Sequence, residues 1–159
     1  MTFASDTSVN VERSQGEIER VLARYGATHF MRGWAGDQAS IAFTIANRSI
    51  RFMLPLPSRD DEQFAATPTG RRRRNPAASL QAWEQACRSR WRALLLVIRA
   101  KLEAVETGIS TIEDEFLAWT IIPGGRGRTV GEQIRPLIEE MVQTGKAVPL
   151  QLGFSGGGA

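Results

Sequence analysis

One periodicity constrains this chain more than any other feature. Between residues 80 and 105 the apolar side chains Leu80, Trp83, Cys87, Trp91, Leu94, Ile98, Leu102 and Val105 recur at steps of three and four. That spacing lays a single apolar stripe along one helix. Asn75 is a fair N-cap, Pro76 fits the first helical position, and Gly108 ends the pattern. The predicted helix has about 31 residues and a length of about 46 Å. One compact domain of 159 residues has a radius of gyration near ~15 Å. The helix therefore crosses the whole domain, projects from it, or bends. Leu95 and Val97 widen the apolar zone at its middle. That middle is predicted to be buried on two sides, by a sheet and by a second helix or subunit.

What precedes the long helix supplies the sheet. Residues 1–13 read as a disordered N-terminus. Ser14 and Glu17 have capping-box spacing, Ile18, Val21, Leu22 and Tyr25 follow at helical intervals, and Gly26 sits at a C′ position. A first helix is predicted over 14–25. Strands follow at 27–32, 39–45 and 50–56, with turns at 33–38 and 46–49. Ile41, Phe43 and Ile45, then Ile50, Phe52 and Leu54, alternate at period two, which makes the second and third strands the clearest hairpin. Pro55 and Pro57 stop the ladder. Residues 57–75, "PSRDDEQFAATPTGRRRRN", form a mobile loop, acidic first and basic second. A loop of that length is uncommon in a compact domain.

Two shorter helices close the chain. Ser110 with Glu113 opens one through Trp119, and Thr129 with Glu132 opens the other. In the last helix Ile134, Leu137, Ile138 and Met141 are expected to face the core, and Gly145 ends it. Pro136 either kinks that helix or marks its true start. Residues 146–159 read as an extended, flexible tail. The plan is α+β: a helix, a three-stranded antiparallel sheet, a long helix, then two shorter helices, in a single domain over 14–145. The first five elements share their order with the double-stranded-RNA-binding domain, a likeness of topology alone.

The residues exclude much chemistry. No run approaches the ~18 apolar residues of a membrane span, and the N-terminus lacks a secretory pattern. His29 is the only histidine and Cys87 the only cysteine. A disulfide framework and a zinc site are therefore not expected. These features predict a cytoplasmic protein with no cofactor and no metal. The acidic trios Asp60–Glu62 and Glu113–Glu115 read as a solvated patch and as a helix's first turn, not as Mg²⁺ ligands. His29 reads as structural, and Cys87, on the stripe, as a small buried hydrophobe. "GGRGRTVGE", 124–132, has neither a Walker A ending nor G-x-G-x-x-G spacing, so it reads as a tight turn before a Thr cap. No catalytic residue is predicted, and the chain is not expected to be an enzyme.

The charge map is more informative. The net charge is +3, yet Arg71 to Lys101 carries nine basic residues against Glu84, which leaves −5 for the remainder. Eighteen of the twenty basic residues are Arg. Codon usage can account for Arg over Lys; it does not account for clustering. Arg71, Arg72, Arg73 and Arg74 precede the long helix, where positive charge lies unfavourably at the positive end of the helix dipole unless an anion accepts it. Arg88, Arg92 and Arg99 share a helix face distinct from the apolar stripe. With Trp34, placed in a predicted turn where it can stack on bases, these residues make a candidate nucleic-acid-binding surface that follows a backbone without reading sequence. Trp83, Trp91 and Trp119 read as core. Two alternatives stand beside this one: a protein-interaction module without nucleic-acid binding, and a solvated basic face neutralised in part by Glu84, Glu103 and Glu106.

Two segments, "ARYGATHFMRGW…IAFTIANRSIRFMLPLP" and "RSRWRALLLVIRAKLEAVETGISTIEDEFLAWTIIPGGRGRTVGEQI", resemble a family of small uncharacterised proteins of tailed bacteriophages and prophages. The likeness covers roughly residues 10–140, and "RWRALLLVIRAKLEAVETGI" is its most specific part. In the turn, "IIPGGRGRTV" stands where the family has a shorter "LPDGRTV". The resemblance implies a phage or prophage accessory protein acting in a bacterial host cell. It implies no activity and no catalytic residue. The partners expected are a DNA or RNA backbone or, alternatively, a second copy or another phage or host protein.

Overall fold

The computed structural model describes residues 10–150. Its elements are helix α1 (Val11–Arg24), strands β1 (Thr28–Ala35), β2 (Gln38–Ile45) and β3 (Arg48–Pro55), a one-turn helix α2 (Glu62–Ala65), the long helix α3 (Pro76–Glu106), and helix α4 (Ile112–Phe116) running into a 3₁₀ turn (Leu117–Trp119). Helix α5 (Val130–Thr144) ends the fold. The strands form one antiparallel sheet in the order β1-β2-β3. This is the α+β plan expected from the sequence.

Alternation decides which face of the sheet is covered. Ala39, Ile41, Phe43 and Ile45 of β2 and Ile50, Phe52 and Leu54 of β3 are buried. They pair across the strands as Ile41 with Phe52 and Phe43 with Ile50, so they share one face. Onto that face pack Ile18, Val21 and Leu22 of α1 and Trp91, Leu94, Leu95, Ile98 and Leu102 of α3. Phe116 closes one end of the core edge-on to Phe43 and Phe52, and Trp119 lies 4.7 Å from Phe52. Both hairpins turn on two residues. Ala46 and Asn47 both have positive φ, as a type I′ turn requires.

Several expectations shift. Helix α1 begins at Val11, capped by Asn10, whose side chain accepts a hydrogen bond from the Arg13 N–H at 2.9 Å. Residues 10–13 are therefore an ordered cap and first turn, not part of a disordered N-terminus; residues 1–9 lie outside the described part. Ser14 is not a cap: it is fully buried one turn inside the helix. Strand β1 runs on to Ala35, so Trp34 stands in a strand and only Gly36 and Asp37 turn. A register shift between Thr28 and Met31 accommodates His29 at φ 55°, an exposed side chain that shares a hydrogen bond with the Thr28 hydroxyl. The loop at 57–75 contains α2, capped by Asp61, and its basic half folds back through a bridge between Ala66 and Arg73.

Helix α3 spans Pro76–Glu106, as its stripe predicts, with Asn75 accepting from the Ala78 N–H. Its ends differ from its middle: Leu80 is exposed, Trp83 half-buried, and Cys87 through Leu102 buried. The middle is covered on two sides, by the sheet and by α1, with Leu95 fully buried, while Val97, expected to widen that zone, is exposed. The cap of α4 is Thr111, not Ser110. In α5 the Thr129–Glu132 capping box is complete and Gly145 adopts φ 67° at the C-cap, with Pro136 inside the helix. The face expected to enter the core does not: no residue of α5 is buried, and Ile138 is exposed. The helix is fastened instead through the 3₁₀ turn, where a Cβ on Gly131 would stand 2.8 Å from the Ala118 carbonyl oxygen. Residues 146–150 form no helix or strand, and 151–159 lie outside the described part.

Candidate nucleic-acid interface

Helix α1 lies along α3, and Glu17 is the contact that sets their side-chain arrangement. Its carboxylate is shared by three guanidinium groups: Arg13 at 3.4 Å from its own helix, and Arg92 and Arg99 from α3, each at 3.2 Å. Partial burial pushes the Glu17 carboxyl up. The neighbouring Arg92, Arg99 and Arg13 outweigh that and hold it below the ordinary carboxylate range. Arg20 and Arg24 line the same groove. Neither forms an ion pair among the described residues; Arg20 donates only to the Gly16 carbonyl. Three arginines therefore share one carboxylate, and two more line the groove beside it. Further along, Glu103 and Glu106 border the groove, and Glu106 is engaged by the Tyr25 hydroxyl.

The predicted site residues fall into three places. Arg92 and Arg99 meet in this groove. Arg88 does not join them: its guanidinium donates twice to Gln85 on the preceding turn. Arg71–Arg74 form the turn before α3. Arg74 is half-buried and donates to the Gln63 carbonyl at 3.1 Å, which makes it a clamp on α2. Arg71, Arg72 and Arg73 are exposed. Arg73 approaches Glu62 at only 4.0 Å, both highly exposed, while Arg71 and Arg72 have no side-chain partner among the described residues. Measured along the axis of α3, Asn75 and Arg99 are about 36 Å apart.

Trp34 occupies the third place. It pairs with Ala39, so it points to the helix-covered side of the sheet, yet it is 77% exposed. It stands over an apolar cleft of about 310 Å³ that also includes Trp83, Cys87 and Trp91 of α3 and Val11 and Gln15 of α1. Burial and then Glu84 push the Cys87 thiol up against the opposing Arg88, leaving it protonated and a poor nucleophile. Among the described residues no group of three His, Cys, Asp or Glu side chains could hold a metal ion. No helix there is long and apolar enough to cross a membrane.

Sequence reasoning missed Arg13, Arg20 and Arg24. Their steps of seven and four, with Glu17 between, put them on one face of α1. What it could not show is that this face adjoins Arg92 and Arg99. No family profile matches the chain, and neither does any curated protein or solved structure.

Proposed function

We propose that this protein binds a nucleic-acid backbone in the α1–α3 groove, without catalysis. The observation that carries the reading is the shared carboxylate: Glu17 is the one acid among three guanidinium groups, and the groove holds five arginines against Glu17, Glu103 and Glu106. Guanidinium groups on a helix groove suit phosphate oxygens, and their spacing reads no base. The exposed turn at Arg71–Arg73, before the start of α3, supplies a second cluster of arginines. A phage or prophage accessory role in a bacterial cytoplasm belongs to the same proposal and rests on the resemblance of the two segments.

Fluorescence anisotropy with labelled single- and double-stranded DNA and RNA tests it. Binding should weaken steeply with salt, with a log–log slope of about −2 or steeper for three or more phosphate contacts. Arg20→Gln with Arg24→Gln should lower affinity several-fold at low salt and shift the melting temperature little, because neither side chain holds an ion pair among the described residues. Absence of binding to all four nucleic acids at low salt would refute the reading.

A second reading, contact with a protein, has one observation in its favour. Helix α5 buries none of its residues and leaves Ile138 and Val142 exposed, the latter by 78%.

A further inference from the structure

The cleft beneath Trp34 is not used by phosphate contacts, yet along α3 it lies between the Arg71–Arg73 turn and the groove. Along α3 it occupies the stretch from Trp83 to Trp91, about 12 to 24 Å beyond Asn75. The Arg71–Arg73 turn precedes it. Arg92 follows Trp91 directly, and Arg13 lies two residues from the cleft-lining Gln15. The groove and the cleft are thus neighbours on the same pair of helices.

The lining defines what fits. Trp91 is buried, Trp83 half-buried, and Trp34 exposed at the mouth. The Trp34 indole N–H donates to the Gly36 carbonyl at 3.2 Å, and that of Trp83 donates to the Pro57 carbonyl at 2.9 Å. Both rings are held in place by the backbone, and their N–H groups are already engaged. Of the polar lining, Arg32 donates to the Gln15 side-chain oxygen at 2.8 Å and pairs with Glu19 at 3.2 Å. The cleft therefore offers mainly aromatic and apolar surface. Its volume of about 310 Å³ lies at the lower end of the ~300–1,000 Å³ usual for small-ligand sites.

An apolar cleft alone would accept many groups. Arginines on both sides along the helix axis select one that is planar, aromatic and joined to anions. We propose that the cleft receives an unstacked base of a single-stranded nucleic acid, stacked on Trp34, while the flanking phosphates lie on Arg71–Arg73 and on the α1–α3 groove. A duplex keeps its bases stacked and cannot supply this group; a single strand can. This inference rests on the nucleic-acid reading above.

The test uses the full chain at low salt with three fluorescein-labelled probes of about twelve nucleotides: oligothymidylate, an abasic strand of the same length, and a duplex. Oligothymidylate should bind about tenfold or more tightly than the abasic strand and quench tryptophan fluorescence. Trp34→Ala should erase that advantage and leave abasic-strand affinity unchanged, while Trp34→Phe retains most of it. Because Trp34 is exposed, the variant's melting temperature should match that of the wild type. Equal, salt-dependent affinity for the thymidine and abasic strands overturns the base cleft and leaves the phosphate groove standing. So does a duplex that binds as tightly as oligothymidylate. If no probe binds, the nucleic-acid reading itself fails, and this inference with it.

Discussion

Glu17 is the residue on which the functional reading turns. The capping-box pattern assigns it to its own helix, but its carboxylate reaches across to α3. The reason is competition: Asn10 already caps α1, and three guanidinium groups hold a carboxylate more strongly than one backbone N–H. Its folded-state pKa lies below the ordinary value of 4.5. A depressed carboxylate contributes stability that is fully present above its unfolded pKa and is lost as pH falls through the folded value. Glu17→Gln should therefore destabilise the protein by roughly 1–2 kcal/mol at neutral pH. The gap to wild type should narrow as the pH falls below the ordinary carboxylate value of 4.5 and through the lower folded-state value, as urea unfolding at neutral and at acidic pH will show. The same variant should bind polyanions more tightly, because it frees three arginines. Equal stability at neutral pH would mean that Glu17 does not clamp the two helices.

Among the elements, α3 and α5 form a contrast. Helix α3 is held by burial, from Cys87 to Leu102. Helix α5 has no buried residue, and Pro136 supplies no N–H to its ladder. Its start must carry much of its stability. The Thr129 hydroxyl accepts from the Glu132 N–H, and the Glu132 carboxylate accepts from the Thr129 N–H at 2.8 Å and from Arg51. The Thr129 N–H holds the Glu132 carboxyl below its ordinary pKa, with Arg51 helping against partial burial. Thr129→Ala should cost about 1 kcal/mol and speed amide exchange over Val130–Thr144 while α3 keeps its protection. Unchanged exchange in α5 would show that the 3₁₀-turn contacts, not the cap, hold it. The capping pattern was legible in the sequence here and misleading at Ser14. Three-residue spacing records only that a box can form; what the flanking chain and distant partners do decides whether it forms.

Across the whole molecule the sheet separates two surfaces. The groove and the Trp34 cleft lie towards α1 and edge strand β1, where Arg32 meets Glu19. Helix α5 is tied to the opposite edge, through Arg51 of β3 and the bridge from Ile50 to Thr120. Ile138→Glu with Val142→Glu should therefore leave both the melting temperature and nucleic-acid affinity as in wild type. Sedimentation separates the two readings. A wild-type chain that self-associates at micromolar concentration, and a double variant that does not, would support the protein-contact reading. A monomer in both cases would remove self-association through α5.

The sequence alone determined the order of the elements other than α2, the span of α3 and the alternating faces of β2 and β3. Each of these is written in local periodicity, which depends only on where successive side chains point. It also determined the arginine clustering, since charge is countable along a chain. Only the tertiary structure decided which arginines act together. Arg88 and Arg92 are a turn apart, yet Arg88 is held by Gln85 while Arg92 joins Arg13 across 79 positions of chain at the Glu17 carboxylate. The same holds for Trp34, which a turn would have left isolated and which β1 places over Trp83 and Trp91. Sites of this kind are made where two elements dock, and docking is set by the matching of whole faces, not by any spacing within one of them.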